Sequence, residues 1–194
     1  MKLELSIVLA FILWLFAFRA EILNFWLRIT LAASILFIIA ITSYDKIKPS
    51  LDWKNASIGV LSGLLFYAFL YLGYNAFKGL VYNGASAIYA LRTEASLSLI
   101  ASLLIITSIA EESFWRGFVQ REFYERFGKQ KGIIMTSLIY GAIHVWSLNP
   151  PLMFIALVMG LAWGYLYYFT NSLISVICSH ITWTEMVFVA LPLT

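Results

Sequence analysis

Charged side chains are scarce in this chain. Only 12% of its 194 residues are Asp, Glu, Lys or Arg, whereas 62% are hydrophobic, and the mean hydropathy is +0.87. Soluble domains carry about 25% charged residues, so this composition excludes an ordinary soluble fold. Inside a bilayer the backbone polar groups must be bonded internally, which long apolar helices achieve. We therefore predict an all-α integral membrane protein.

Cysteine is almost absent as well. The single Cys178 excludes an intramolecular disulfide and any metal cluster built on several thiolates. No polar stretch of domain length interrupts the chain, so residues 1–194 are predicted to form one membrane domain. The small excess of basic residues, 13 against 10 acidic ones, does not indicate a nucleic-acid partner, because the basic residues gather in loops between apolar runs. The predicted surroundings are a lipid bilayer.

The apolar runs predict a bundle of about seven transmembrane helices. An amphipathic stretch at 117–127 predicts one further helix on the cytoplasmic surface, with Gly128 as its C-cap. The mixed stretch 78–94 is interpreted as an interfacial segment. Pairs of glycines four residues apart predict close helix packing rather than chemistry, at Gly59 and Gly63 and at Gly160 and Gly164. The seven predicted spans are 3–18, 25–44, 58–77, 96–114, 133–148, 152–170 and 173–193.

The basic residues also predict an orientation in the cell membrane. If the seven spans cross the membrane in alternating directions, nine of the thirteen basic residues lie on one side and four on the other. Because cytoplasmic loops carry the excess of Lys and Arg, the N-terminus is predicted to be cytoplasmic and the C-terminus outside. The nine residues are Lys2, Lys46, Lys48, Lys54, Arg116, Arg121, Arg126, Lys129 and Lys131.

Two adjacent carboxylates, Glu111 and Glu112, end the apolar run that begins near residue 97. A charge at membrane depth costs roughly 2.5–3.5 kcal/mol on insertion scales, and neighbouring carboxylates repel each other. Arg116 follows Glu112 by four residues, so a helix would place these two side chains on one face. This motif alone fits either a salt bridge at a helix end or a functional site.

Both histidines of the chain, His144 and His180, lie inside predicted spans. Ionisable groups within a membrane face the bundle interior and usually contact one another. We therefore predict that the histidines and the glutamate pair converge in one polar pocket. A buried glutamate there could take a proton from water while one histidine positions that water. The other histidine, with the Thr184 hydroxyl one turn further on, could donate hydrogen bonds to an oxyanion.

Intramembrane peptide hydrolysis is the reaction that fits such a pocket best. Two histidines and a carboxylate could instead bind zinc or iron, in which case Glu111, His144 and His180 are the predicted ligands. Other intramembrane protease chemistries lack residues here. The chain contains no His-Glu-x-x-His helix, and its aspartates, Asp45 and Asp52, fall in a predicted loop rather than in a span.

Three motifs on three separate predicted spans resemble the CPBP family of intramembrane proteases. That family includes the type II CAAX prenyl endopeptidases, the Abi proteins and bacteriocin-processing or self-immunity proteins. The motifs cover only residues 111–184. They are Glu-Glu-x-x-x-Arg at Glu111, Glu112 and Arg116, aromatic-x-x-x-His from Tyr140 to His144, and the later His180.

The resemblance implies roles for individual residues. Glu111 and His144 would activate water, and His180 with Thr184 would stabilise the oxyanion. The family usually has Asn or Asp where Thr184 stands and Phe where Tyr140 stands, so Thr184 is a departure, for which the neighbouring Glu185 is an alternative. The implied substrate is a membrane-anchored protein or peptide, cleaved near its C-terminus.

Alternatives remain open at this point. A non-catalytic member of the family could keep the pocket as a binding site for immunity or interaction. A small carrier could relay protons through Glu and His, although such a relay would spread polar residues over several depths. The protease could also be zinc-dependent. A metal-free water activated by glutamate is the version favoured by the sequence, since few residues near His144 could orient a metal ligand.

Overall fold

The computed structural model describes residues 2–43 and 52–193, and all regular structure within these residues is helical. The predicted loop residues Asp45, Lys46 and Lys48 and the predicted end of the second span at 44 lie outside the described residues. The helices are α1 Leu3–Arg19, α2 Phe25–Ser43, α3 Trp53–Ala76, α4 Lys78–Ala90, α5 Leu97–Phe114, α6 Gln120–Phe127, α7 Lys129–Ile143, α8 Pro150–Thr170 and α9 Leu173–Glu185.

Within the described residues, five helical stretches are long and apolar enough to cross a membrane. They are Phe25–Ser43, Trp53–Ala76, Leu97–Phe127, Pro150–Thr170 and Leu173–Ala190. The prediction of a helical membrane bundle is thereby confirmed in its coarse form. The two remaining predicted spans are also helical but shorter, because α1 has 17 residues and α7 has 15. The count of seven spans therefore stays a prediction.

The predicted surface helix at 117–127 is not a separate element. A single helical stretch, Leu97–Phe127, runs through α5, a π-helical segment at Trp115–Val119 and α6. Gly117, Phe118 and Val119 are buried, and α6 packs on α7. The amphipathic pattern is borne out, since Phe123 of α6 is buried whereas Phe127 is 49% exposed. A position of this helix on the cytoplasmic surface of the membrane stays a prediction. Gly128 ends α6 with φ +81°, as predicted, because glycine alone adopts this backbone conformation without strain.

Glycines bring α9 against α3 and α8 against α7. A Cβ on Gly63 would lie 2.6 Å from the Ser179 carbonyl oxygen, and a Cβ on Gly59 would collide with the Ser175 carbonyl. On α8, a Cβ on Gly160 would lie 3.2 Å from the Cα of Ser137 in α7. The prediction that these glycines serve packing is confirmed. Helix α9 carries His180, and α7 directly precedes His144. This packing therefore also determines where the two imidazoles lie.

Two contacts define the ends of the bundle. Arg126 at the end of α6 donates to Glu4 at the start of α1, 2.6 Å away, so these two ends lie together. In the second contact, Glu94 in the turn before α5 accepts a hydrogen bond from the backbone N–H of Phe25 at the start of α2. The first contact joins elements whose basic residues, Lys2 and Arg126, were predicted to share one side of the membrane.

Candidate active site

The C-terminal half of α5 delivers the carboxylates into the protein interior. Ser96 caps the helix by accepting the Leu99 backbone N–H, and both glutamates lie near the other end. Glu112 is 0% exposed, as is Arg116 one turn later in the π-helical segment. π-helical turns inside α-helices frequently accompany functional sites. The second π-helical segment, Met186–Ala190, likewise follows directly after the predicted site residues of α9.

Glu112 is the centre of a buried charge network. Its Oε1 accepts hydrogen bonds from Arg116 Nη1 at 3.0 Å and from His180 Nδ1 at 2.8 Å. The second amino group of Arg116, Nη2, donates to the Gly160 carbonyl of α8 at 3.0 Å. The guanidinium also lies over the Tyr140 ring, with 5.1 Å between Cζ and the ring centroid. This network connects α5 with α7, α8 and α9.

Glu111 points to α7. Its Oε2 accepts a 2.8 Å hydrogen bond from the Tyr140 hydroxyl, and both side chains are buried. The chain order does not predict this contact, because α6 and most of α7 separate the two residues. Adjacent glutamates thus take different partners: Glu112 contacts the Arg116 guanidinium and the His180 imidazole, whereas Glu111 contacts a neutral hydroxyl. The carboxylate without a cation in hydrogen-bond contact is the one that the family resemblance assigns to water activation.

His144 caps the C-terminal end of α7 and begins the 3₁₀ turn His144–Ser147. Its Nδ1 donates to the Tyr140 carbonyl at 2.8 Å, since a carbonyl can only accept. Nε2 of the neutral ring is then left as a hydrogen-bond acceptor. The rings of Trp14 and Phe18 in α1 pack edge-on against the imidazole at 6.2 and 6.1 Å.

His180 is fixed by stacking as well as by hydrogen bonding. The Trp163 ring of α8 lies 3.9 Å from the imidazole, centroid to centroid, at an interplanar angle of 22°. One turn later, the Thr184 hydroxyl contacts the carbonyls of His180 at 3.0 Å and Ile181 at 3.1 Å. The Ser108 hydroxyl of α5 lies 3.4 Å from it. The Thr184 proton is therefore directed to its own helix.

The structure joins the predicted site residues through these contacts. Glu112, Arg116 and His180 form one connected network, and the Tyr140 ring lies against both the Arg116 guanidinium and the His144 imidazole. The predicted residues differ in exposure. Glu112 and Arg116 are fully buried, whereas the four residues with predicted chemical roles each retain 5–9% of their surface: Glu111, His144, His180 and Thr184.

The alternative metal site does not fit this arrangement. Within residues 2–43 and 52–193, no three His, Cys, Asp or Glu side chains are grouped so that they could hold a metal ion. Glu111 Oε2 contacts the Tyr140 hydroxyl, while His180 Nδ1 contacts Glu112. The alternative zinc ligands Glu111, His144 and His180 thus contact different partners.

Sequence reasoning missed three contributors to the site. Tyr140 was noted only as an aromatic in a motif, yet its hydroxyl contacts Glu111. Trp163 belongs to no motif in the sequence, yet its ring stacks on the His180 imidazole. Gln120, fully buried, repeats the Arg116 contact one turn later by donating to the Gly164 carbonyl at 3.1 Å. Arg116 and Gln120 are four residues apart in the sequence, and so are Gly160 and Gly164. This matching spacing was the available signal.

An apolar cavity of about 520 Å³ lies beside the segments that carry the histidines. Part of its wall, from Asn149 to Val158, follows the His144 turn, and another part, from Trp183 to Phe188, follows His180 on α9. The remaining wall comes from α3 and α4. The Trp183 ring lines this cavity and packs edge-on against Trp163 at 5.6 Å, and Trp163 stacks on His180, so these two indole rings connect the cavity wall with His180.

The geometry can be compared with known protein families. Residues 93–186 match the Rce1-like type II CAAX prenyl endopeptidase family model. The resemblance inferred from the three motifs is thereby confirmed, and the matched family is one of membrane proteases. No curated protein and no solved structure matches the chain.

The Rce1-like segment, residues 93–186, is just under half of the chain and contains every predicted site residue. It extends from the turn before α5 to the end of α9. Trp14 and Phe18, which pack on His144, lie outside it in α1. The N-terminal helix therefore packs on a candidate site whose predicted residues all belong to the Rce1-like segment.

Proposed function

We propose that this chain is an intramembrane endopeptidase that hydrolyses a peptide bond of a membrane-attached substrate. One observation carries the proposal. Glu111, His144, His180 and Thr184 retain slight exposure next to a fully buried ion pair, Glu112 with Arg116. This division is what a hydrolytic site requires. Groups that react must reach water and substrate, whereas groups that only orient them need not.

The proposed first step is the activation of water. Glu111 accepts a proton from the water, and His144 positions the same molecule through the acceptor Nε2 that its hydrogen bond to Tyr140 leaves free. The resulting hydroxide forms a bond to the carbonyl carbon of the scissile peptide. The C–N bond then breaks, and the proton held by Glu111 passes to the leaving amine.

The proposed oxyanion donor is His180. Its Nδ1 already donates to Glu112, so donation from Nε2 to an oxyanion requires a ring that carries both protons. With that ring protonated, Arg116 and His180 balance the two glutamates in charge. Thr184 becomes a donor only if its hydroxyl turns away from the helix carbonyls. His180 therefore carries more of this task than Thr184 in our proposal.

The proposed substrate is a prenylated protein or peptide tail in the bilayer. The apolar cavity beside the site offers about 520 Å³ of space lined almost entirely by hydrocarbon, which suits the lipid part of such a substrate. The scissile bond would then lie near His180, beyond Trp183 and Trp163. We place the protein in the cell membrane with the N-terminus cytoplasmic, on the basis of the basic residues alone.

A non-catalytic family member is the second candidate. The observation in its favour is the Thr184 hydroxyl, which donates to its own helix and not into the site. Such a protein would bind a membrane-anchored partner at the same pocket without cleaving it. Activity measurements separate the two candidates directly.

The test is cleavage of a quenched fluorescent peptide carrying a prenylated cysteine, with the purified chain in proteoliposomes. Glu111→Gln and His144→Ala are each expected to lower kcat by about 10²–10⁴-fold, because loss of a general base has effects of that size. Glu122→Gln is the control, since it removes a carboxylate from the same continuous helix at a partly exposed position. We expect that variant to retain wild-type turnover.

The same assay is run after exhaustive chelation, with metal analysis of the chelated sample. We expect activity to survive, because the proposed water needs only Glu111 and His144. Loss on chelation that stoichiometric zinc restores would replace this mechanism with a metal-assisted one. Binding of the peptide without cleavage by the wild-type chain would support the non-catalytic candidate.

A further inference from the structure

Tyr140 contacts both residues proposed to activate water. Its hydroxyl donates to Glu111 Oε2 at 2.8 Å, and its backbone carbonyl accepts from His144 Nδ1 at the same distance. The two contacts come from one residue on the last full turn of α7. Its ring is buried between the Arg116 guanidinium and the His144 imidazole. One residue thus connects a carboxylate on α5 to an imidazole at the end of α7.

The two contacts have different consequences. The carbonyl contact determines the His144 tautomer, because the proton on Nδ1 leaves Nε2 as the acceptor. The hydroxyl contact restricts rotation of the Glu111 carboxyl group about its terminal bond. That torsion is soft in a free side chain, with broad minima. With Oε2 bonded to Tyr140, Glu111 Oε1 remains as the oxygen available to water.

We propose that Tyr140 is a positioning residue of the hydrolytic site, whose hydroxyl aligns Glu111 with His144 for a shared water. This inference rests on the proposed function and assigns a further residue to it. Misplacement of a catalytic group by about 1 Å can cost a factor of about 10² in rate, so a single hydrogen bond is enough to matter.

A purely structural role for the hydroxyl would have another signature. The Tyr140 ring packs at 5.5 Å against Trp115 and carries the contact with Arg116, and a phenylalanine ring keeps both. Removing only the hydroxyl leaves Glu111 Oε2 without the side-chain donor that contacts it. The fold should therefore survive this change, and the effect should appear in the chemical step.

The test is Tyr140→Phe in the proteoliposome assay, with kcat and KM measured separately. We expect kcat to fall roughly 10- to 100-fold, the effect of losing one hydrogen bond to a charged group. KM should change less than about twofold, because the hydroxyl contacts Glu111 rather than substrate. Tyr165→Phe is the matched control. It removes a tyrosine hydroxyl bonded to Gln130, outside the site, and should leave both constants unchanged.

Infrared spectroscopy supplies a second readout that needs no turnover. The Glu111 carboxyl band is identified by its loss in Glu111→Gln, and we expect it to shift in Tyr140→Phe but not in Tyr165→Phe. An unshifted band, or a kcat equal to that of the wild type, would overturn the inference while leaving the proposed function intact. Absence of cleavage by the wild-type chain would instead overturn the proposed function and this inference with it.

Discussion

The α5 side of the protein and the α3–α4 layer are held together in different ways. Helix α5 contributes ten buried residues, among them both glutamates, and Glu112 forms a buried ion pair with Arg116. Helix α3 buries only Gly59, Gly63 and Tyr74, and α4 buries none. The first region is fixed by charge and dense packing. The second rests on glycine contacts with α9 and on a few hydrogen bonds around an apolar cavity.

This difference matches the tasks proposed for the two regions. Water activation needs groups held within a fraction of an ångström, which buried networks provide. A lipid chain needs apolar space, which a thin layer of helices encloses without specific contacts. If the comparison is correct, variants on the α5 side should lower the free energy of unfolding and the activity the most. Variants in the α3–α4 layer should lower them progressively less.

The largest effect is expected at Arg116. Arg116→Ala leaves Glu112 buried with only His180 as a partner, and breaking a buried pair costs about 3–5 kcal/mol. Arg116→Lys should recover part of this, because an ammonium can reach Glu112 but cannot also donate to Gly160 in the same fork. The measurement is the free energy of unfolding in mixed micelles, together with kcat. If Arg116→Ala were as stable as the wild type, the buried network around Glu112 would not stabilise the fold as proposed.

The pair Arg116 and Glu112 also shows what the sequence could predict. Their spacing of four residues is a local property of a helix, so the ion pair follows from the chain order alone. The burial of both carboxylates likewise follows from the cost of charge in a bilayer. The Gly128 cap and the glycine packing are local signals of the same kind.

Contacts between distant helices were not predictable in this way. In a membrane protein, the core and the lipid-facing surface are both apolar, so Phe114, fully buried, and Phe69, 63% exposed, have the same signal in sequence. The bond between Glu111 and Tyr140, and the stack of Trp163 on His180, depend on tertiary packing that no local pattern encodes.

A smaller effect is expected where α3 meets α9. Gly63→Ala places a methyl group 2.6 Å from the Ser179 carbonyl and 2.8 Å from Thr182 Cβ, which overpacking should penalise by about 1–3 kcal/mol. Because Ser179 precedes His180, we expect kcat to fall as well. The control is Gly73→Ala in the same helix, where nothing lies within 4 Å of the added methyl. That variant should be stabilised by about 0.5–1 kcal/mol. Equal effects at the two glycines would contradict close packing of α3 on α9.

The smallest effect is expected at Asn149, which connects the two regions. Its Oδ1 accepts the Leu152 N–H and caps α8, while its Nδ2 donates to the Gly84 carbonyl of α4 at 2.8 Å. Asn149→Ser keeps an oxygen for the cap but loses the donor to α4, whereas Asn149→Ala loses both. We expect a cost of about 1 kcal/mol or less for Ser and about 1–2 kcal/mol for Ala.

Amide hydrogen exchange separates these two contacts of Asn149. Both variants should speed exchange in α4, because that helix has few other polar contacts to the rest of the protein. Only Asn149→Ala should also speed exchange in the first turn of α8, where the cap is lost. Exchange within α5 should not change in either variant, since its buried network does not involve Asn149. If α5 and α4 responded together, the two regions would form one cooperative unit, and the contrast between a rigid hydrolytic side and a loosely held apolar layer would fail.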